Sequence, residues 1–392
     1  MGLKIAKFSP IYGNNIGDVM ISKCIEKALV RKGVEVVSYD LLLRPPLSYK
    51  KRAVKNVLRI KLSTFLQLRF PRVFYLFKKI LFFVRGDAKR FSRIMIENNF
   101  NTAIFGGGNI LMNKMGSDYA FRASVYLKKV RHGYVYAAGA GPFDYEKRRL
   151  TKRIAERATF ISVRDELSKN YFGEQAVVNI DPAFIVSDIS PRETKGGVLG
   201  LNVISGFFSG QDRGSFAEAV IQLCNENSLS LRMINSAFPA DEHEAVRFLE
   251  VVEQKSPQLR TECCNLSIEE KSVGHAYRDV DYFVGSRMHS LIFALSYGIP
   301  SLGFEWDKKV GAMLRVFFQA EDIEALLVKP AEPLDFSAYE FIDLPLAASA
   351  AKARVYEEAN RLLESIRAGE SRPSQHQKQE IFAGGLPETS SE

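Results

Sequence analysis

The feature that most constrains this chain is a strand that runs into a glycine turn and then a helix, repeated along its length. Residues 4–8 are the first strand, and residues 9–17 form a loop holding Gly13 and Gly17. Residues 18–32 then place Ile21, Ile25, Ala28 and Leu29 on one helical face, and Gly33 ends the helix. A strand at 34–39 follows. Residues 102–105 run into Gly106-Gly107-Gly108, residues 134–138 close on Gly139-Ala140-Gly141-Pro142, residues 159–163 lead into a helix from Asp165, and residues 177–180 end at Asp181-Pro182. Parallel strands need a crossover to bring the chain back, so this alternation specifies a parallel sheet with helices packed on it.

A polar segment at 187–197, containing Gly and Pro, reads as a linker. Beyond it the alternation starts again. Strands are predicted at 198–203, 230–235, 259–263, 282–285 and 301–304, with helices at 215–225, 241–253, 268–278, 289–297 and 309–317. A chain of 392 residues exceeds what one ordinary core holds. The expected fold class is α/β, with two Rossmann-like doubly wound domains around a central cleft. The domains are expected at 1–190 and 191–346, followed by an amphipathic helix at 347–367 and a polar, disordered tail at 368–392. Open sheets of this kind bind ligands at the carboxyl ends of their strands, so the crevice is expected between the halves.

Hydrophobic residues make up 46% and charged residues 25%, the balance of a globular protein. No stretch reaches the roughly 18 to 20 apolar residues of a spanning helix. Residues 1–10 read as a strand and not as a signal peptide, which leads to the expectation of a cytoplasmic protein. Cys24, Cys224, Cys263 and Cys264 form no CxxC pair and are expected to be small buried thiols in a reducing compartment.

The net charge of +9 is concentrated in one place. Residues 44–93 hold fifteen Lys or Arg and one acid, Asp87, so this insert carries +14 and the rest of the chain −5. Within it, Val73, Phe74, Leu76, Phe77, Ile80, Leu81 and Val84 form an apolar face at helical spacing, with Pro71 where a helix can begin. Arg72, Lys78, Lys79 and Arg85 lie elsewhere on the wheel. Two readings stay open: an interfacial helix on an anionic membrane surface, or a helical pair packed on the first domain with solvated charges. Nucleic acid is not expected as a partner, because the cations accompany a continuous apolar face and not isolated stacking aromatics.

The strongest chemical constellation is Gly285-Ser286-Arg287-Met288-His289-Ser290, at a strand-to-helix turn. The turn sets Arg287 and His289 beside the free N–H groups of a helix, a natural anion site. Arginine adds a fixed fork of donors for phosphate or carboxylate, and histidine a proton donor or acceptor. The alternative is a surface arginine and a capping histidine. Ser162-Val163-Arg164-Asp165 repeats the arrangement in the first half, with Asp165 as helix cap and Arg164 either in the crevice or on the surface. The turns Gly13-Asn14-Asn15-Ile16-Gly17-Asp18 and Gly106-Gly107-Gly108-Asn109 allow close backbone approach, or are simply tight turns. Asp18 is either a base for an acceptor hydroxyl or a helix-terminus carboxylate. Neither turn matches GxGxxG or a P-loop, so no dinucleotide or ATP site is indicated. His132, His243, His275 and His376 lack ligand spacing, and no metal site is expected.

Taken in order, Gly13-Asn-Asn-Ile-Gly-Asp18, Phe105-Gly-Gly-Gly-Asn-Ile110, Ser162-Val-Arg-Asp165, Asp181-Pro182, Ser286-Arg-Met-His-Ser290, Gly298-Ile-Pro300 and Lys308 resemble the polysaccharide pyruvyl transferase family, over residues 4 to about 315. The resemblance implies a GT-B-like fold, phosphoenolpyruvate as donor and a saccharide hydroxyl as acceptor, with no cofactor. It implies that Arg164, Arg287, Met288 and His289 line the donor site. His289 is the expected general acid, kept cationic by neighbouring anions, and the two arginines are expected to clamp the donor from opposite domains. Asn15, Asp18, Gly107, Gly108, Asn109 and Lys308 are the expected acceptor side of the cleft. Where the family often has an aromatic residue followed by Lys, this chain has Phe304-Glu-Trp306-Asp-Lys308, and Met288 replaces a common Leu. Acceptors in such pathways are commonly lipid-linked, which fits a peripheral position on the inner membrane face. The competing readings are a nucleotide-sugar glycosyltransferase on the same fold and a non-catalytic binder of anionic glycans.

Overall fold

The structure is a computed structural model, and it describes residues 3–13, 15–30, 33–44, 66, 69–112, 118–143, 146–192, 196–208, 210–237, 240–304, 308–318, 323–329 and 332–370. The expected tail beyond residue 370, and residues 45–65 of the basic insert, lie outside these residues.

Two six-stranded sheets, parallel throughout, build the molecule. The first comprises β1 (Lys4–Ser9), β2 (Glu35–Asp40), β3 (Thr102–Gly106), β4 (His132–Ala138), β5 (Phe160–Val163) and β6 (Ala176–Val178), in the order β2-β1-β3-β4-β5-β6. The second comprises β7 (Val198–Asn202), β8 (Ser230–Asn235), β9 (Thr261–Asn265), β10 (Val280–Gly285), β11 (Ser301–Phe304) and β12 (Leu327–Val328), in the order β12-β11-β10-β7-β8-β9. Every residue of β3, β4, β7 and β11 is buried. That is why these strands read as near-continuous apolar runs and not as alternating ones.

The strand orders matter for function. In the first sheet the chain moves outward from β1 to β2 and then returns to lay β3 on the other side of β1. In the second it moves from β7 through β8 to β9 and returns to lay β10 beside β7. Each sheet therefore has a topological switch point, between β1 and β3 and between β7 and β10. Loops diverge there and leave a crevice at the strand ends. The glycine turns 13–18 and 106–109 leave the first switch point, and Ser286-Arg287 leaves the second.

The halves share one apolar core. It runs from Ile5, Ile21 and Ile25 through Phe184 and Leu291 to Leu362 and Ile366. The last helix, Leu344–Glu370, is longer than the sequence indicated at both ends. It starts beside the second sheet and lies on the first half, where Tyr134 donates to the Ser365 carbonyl, Glu358 accepts from the Ile180 N–H, and Lys352 and Tyr356 meet Asp188. Two further expectations need correction. The helix expected at 268–278 is confined to Lys271–Ala276. Cys24 and Cys224 are buried as expected, but Cys263 is exposed and Cys264 half-buried, because β9 is the edge strand of its sheet.

Candidate functional site

Both switch points open onto the same place. Arg164 follows β5 directly, and Asp165 beside it caps the short helix Glu166–Lys169 by accepting from the Ser168 N–H at 2.6 Å. That cap directs Arg164 inward, where it is 6% exposed. Asp181, after β6, caps the 3-10 turn Pro182–Ile185 through one oxygen, accepting from Ala183 N–H at 2.9 Å. Its other oxygen takes Arg164 Nη1 at 3.1 Å.

His289 comes to this cluster from the other half. It lies in the first turn of helix Met288–Ser296, which has no side-chain cap. Arg164 Nη1 lies 2.9 Å from His289 Nε2, and Asp181 Oδ2 lies 3.7 Å from the same nitrogen. Burial would raise the Asp181 carboxyl, but its polar neighbours, the Arg164 guanidinium and the Ala183 N–H among them, hold it below the usual carboxylate range. Among the described residues, Arg164 Nε and Asn109 Oδ1 are buried without a hydrogen-bond partner.

Arg287 caps the same helix from an extended backbone. Its main-chain N–H is held by Asn202 Oδ1 at the end of β7. Its guanidinium makes a two-pronged pair with Asp241, Nη2 to Oδ1 at 2.6 Å and Nε to Oδ2 at 3.0 Å. Asp241 is fully buried, whereas the Arg287 side chain keeps 28% of its surface.

The glycine turns close the first half's side. Asn15 Nδ2 donates to Asp18 Oδ2 at 3.1 Å, and Asn15 Oδ1 accepts from the Gly17 N–H. The loop is tied across the cleft by Ile16 N–H to the Ser236 carbonyl, 2.9 Å, and by a bridge between Asn15 and Ala237. A Cβ on Gly17 would stand 2.1 Å from His289 Nδ1, so glycine is what lets the imidazole lie against this turn. Gly107 and Gly108 have φ of +80° and +72°, and a Cβ on Gly108 would stand 2.3 Å from Asp18 Oδ1. Asn109 Nδ2 reaches the Gly141 carbonyl at 2.9 Å.

A slot of about 10 Å³ lies at the centre, lined by Arg164, Asp165, Asp181, Phe184, Met288, Lys309 and Met313. That is room for about one water. A broader depression between helices Gly210–Glu226 and Ala240–Lys255 is lined by Glu218, Gln222 and Lys255 and faces open solvent, away from the strand ends.

Two sequence expectations change. Arg164 and Arg287 do not present bare guanidinium groups to one another: Arg164 crosses to His289, while Arg287 is held on its own half by Asp241. His289 is not an open cationic donor either. It is 8% exposed, and arginine can only donate, so Nε2 accepts from Arg164 in this arrangement. Lys308 opens helix Lys308–Phe317, but its side chain lies outside the described residues, and the neighbouring Lys309 lines the slot. Sequence reasoning missed Asp241 and Asn202. Asp241 was visible only as the start of a helix after β8.

The fold places the chain in a class. A protein from Listeria monocytogenes assigned as a UDP-N-acetylglucosamine 2-epimerase superposes with a TM-score of 0.56 at 11% identity, covering 96% of this chain and 98% of its own. The UDP-GlcNAc 2-epimerase of Methanocaldococcus jannaschii gives 0.52 at 8% identity, over 94% and 100%. The S. aureus MnaA–UDP structure gives 0.51 at 13% identity, over 95% and 99%. These likenesses define a GT-B-like fold of two Rossmann-like halves. No protein of curated function matches the sequence significantly. The family described as polysaccharide pyruvyl transferase matches residues 15–308, and this chain belongs to that family.

Proposed function

We propose that the chain moves the enolpyruvyl group of phosphoenolpyruvate onto a saccharide and closes it there as a pyruvate ketal. The observation that carries this reading is the contact of Arg164 with His289 across the two halves, beside Asp181 and the uncapped helix Met288–Ser296. Arg164 also offers a buried Nε with no hydrogen-bond partner among the described residues, its nearest carboxylate oxygen being Asp165 Oδ2 at 3.8 Å, a donor suited to an oxyanion.

In this reading the donor enters when the halves part, since the slot holds about one water. Its phosphate and carboxylate draw Arg164 off His289 and engage the exposed edge of Arg287, which Asp241 keeps oriented. The freed Nε2 of His289 takes a proton under the influence of ionised Asp181. His289 then protonates C3 of the enol, C2 becomes electrophilic, and a sugar hydroxyl attacks it. Inorganic phosphate leaves from C2, and a second hydroxyl of the same sugar closes the ring. Of the two hydroxyl protons, one replaces the proton given to C3 and one leaves with phosphate. General acid catalysis of this kind is worth roughly 10²- to 10⁴-fold. Asn15, Asp18 and the 107–109 turn form the acceptor side, with Asp18 receiving the first hydroxyl proton.

The test is phosphate release from phosphoenolpyruvate against a panel of aryl and lipid-linked saccharides in deuterated water. The expected product carries one solvent deuterium in the pyruvate methyl group, and His289→Gln loses turnover. Consumption of a nucleotide sugar without phosphate release from phosphoenolpyruvate would replace this reading with glycosyl transfer.

A further inference from the structure

Helix Pro71–Val84, in the basic insert, is apolar on two opposite sides. Its inner side holds Phe74, Tyr75 and Phe82, all buried. The Phe82 ring lies 5.3 Å from Phe121 and 5.9 Å from Tyr126, and the Arg122 guanidinium lies over it at 4.9 Å. The outer side is exposed: Val73 62%, Leu76 58%, Phe77 57%, Ile80 50%, Phe83 62% and Val84 77%. At 3.6 residues per turn these six positions fall in one stripe about 120° wide and roughly 17 Å long. Phe70, 50% exposed, continues it at the foot of the helix.

A helix apolar all round is normally covered all round. The protein covers one side, so the charges around the other decide what covers it. On the helix itself Arg72 is exposed beside the stripe and there is no acid, while Lys78 lies over the inner-side Phe74 ring and Lys79 pairs with Glu146 at 2.7 Å; exposed Arg69 precedes the helix, and exposed Arg85, Lys89 and Arg93 lie near or after its end. A second copy of the chain would set one +14 segment against another. The neighbouring residues 45–65 add Lys50, Lys51, Arg52, Lys55, Arg59 and Lys61 and no acid, so they would increase the charge and not neutralise it. Nucleic acid would neutralise the charge but has no apolar interior for a stripe of six aliphatic and phenyl side chains. An anionic bilayer meets both demands, with head groups at the margins and acyl chains under the stripe.

We propose that helix Pro71–Val84 lies flat in the interface of an anionic membrane and docks the first half on it. No described helix is long and apolar enough to cross a membrane, so this contact rests on the surface. Behind the helix is Tyr119–Leu127, against which Phe82 packs through Phe121 and Tyr126. The docking stands whether or not pyruvyl transfer is the reaction.

Co-sedimentation of the full chain with phosphatidylglycerol/phosphatidylcholine vesicles, and with phosphatidylcholine alone, tests it. Binding is expected to the anionic vesicles and to be at least 10-fold weaker on the neutral ones. Phe77→Glu/Ile80→Glu alters only exposed positions, so its melting temperature should match the parent while vesicle binding falls at least 10-fold. Arg69→Glu/Arg72→Glu should erase the preference for anionic lipid. Parent protein left in the supernatant with anionic vesicles, or equal sedimentation of parent and Phe77→Glu/Ile80→Glu, would overturn the proposal. So would a dimer or an oligonucleotide complex lost in that variant while vesicle binding is absent.

Discussion

Nη1 of Arg164, Nε2 of His289 and Oδ2 of Asp181 define the centre of the cleft, and each comes from a turn at a strand end. The position of the imidazole depends on a residue with no side chain. Gly17→Ala would place a methyl group 2.1 Å from His289 Nδ1. The turn is tied to the second half through Ile16, so the imidazole is what gives way. The expected outcome is a fall in kcat of at least 10²-fold with a folded protein, read by kinetics and circular dichroism. Retention of parent activity would show that this contact is dispensable. That Arg164 and His289 lie at strand-to-helix turns facing one crevice was an expectation of the sequence, but their direct contact was not. Nor were the partners of Arg287. Asp241 and Asn202 lie 46 and 85 residues away, and only the pairing of β7 with β10 and β8 brings them together. A neutralised guanidinium and a bare one look the same in a sequence.

At the scale of elements, the strand–turn–helix rhythm located the strands, because buried parallel strands leave unbroken apolar runs. Helix ends were less legible: the final helix starts three residues ahead of its apolar pattern, where Asp343 caps it by accepting from the Leu346 N–H at 3.0 Å. One contact of that helix titrates. Burial pushes the Glu358 carboxyl up to about 7, against the lowering effects of the Ile180 N–H and Arg354. A carboxyl raised in the folded state binds a proton that the unfolded chain has already released. Its stabilising contribution is therefore complete below the ordinary value of 4.5 and is lost as pH rises toward 7. The expected loss over that window is on the order of 1–3 kcal/mol. Glu358→Gln removes this dependence, and urea unfolding at pH 5 and pH 7.5 should give closer midpoints in the variant than in the parent. Equal pH slopes would assign the dependence elsewhere. Because Glu358 holds Ile180 beside Asp181, the same variant reports whether the helix steadies the site.

For the whole molecule, the alternating pattern and the family motifs were enough to indicate two doubly wound halves with a cleft between their strand ends. They gave no sign of how tightly the halves meet. That depends on side chains from distant segments: Arg164 on His289, Ile16 on Ser236, and a last helix lying across both halves. With a slot of about 10 Å³, the described arrangement is shut around its centre, and each arginine already has a carboxylate. A donor anion must therefore compete with Asp181 and Asp241 as the halves part, which makes donor affinity the sharpest report on this site. The most direct measurement is an equilibrium titration of the full chain with phosphoenolpyruvate, with UDP as comparison, repeated for Arg164→Met and Arg287→Met. The expected result is saturable binding of phosphoenolpyruvate and not of UDP, weakened at least 10-fold in each variant. Binding of UDP alone, or phosphoenolpyruvate binding unchanged in both variants, would contradict the account.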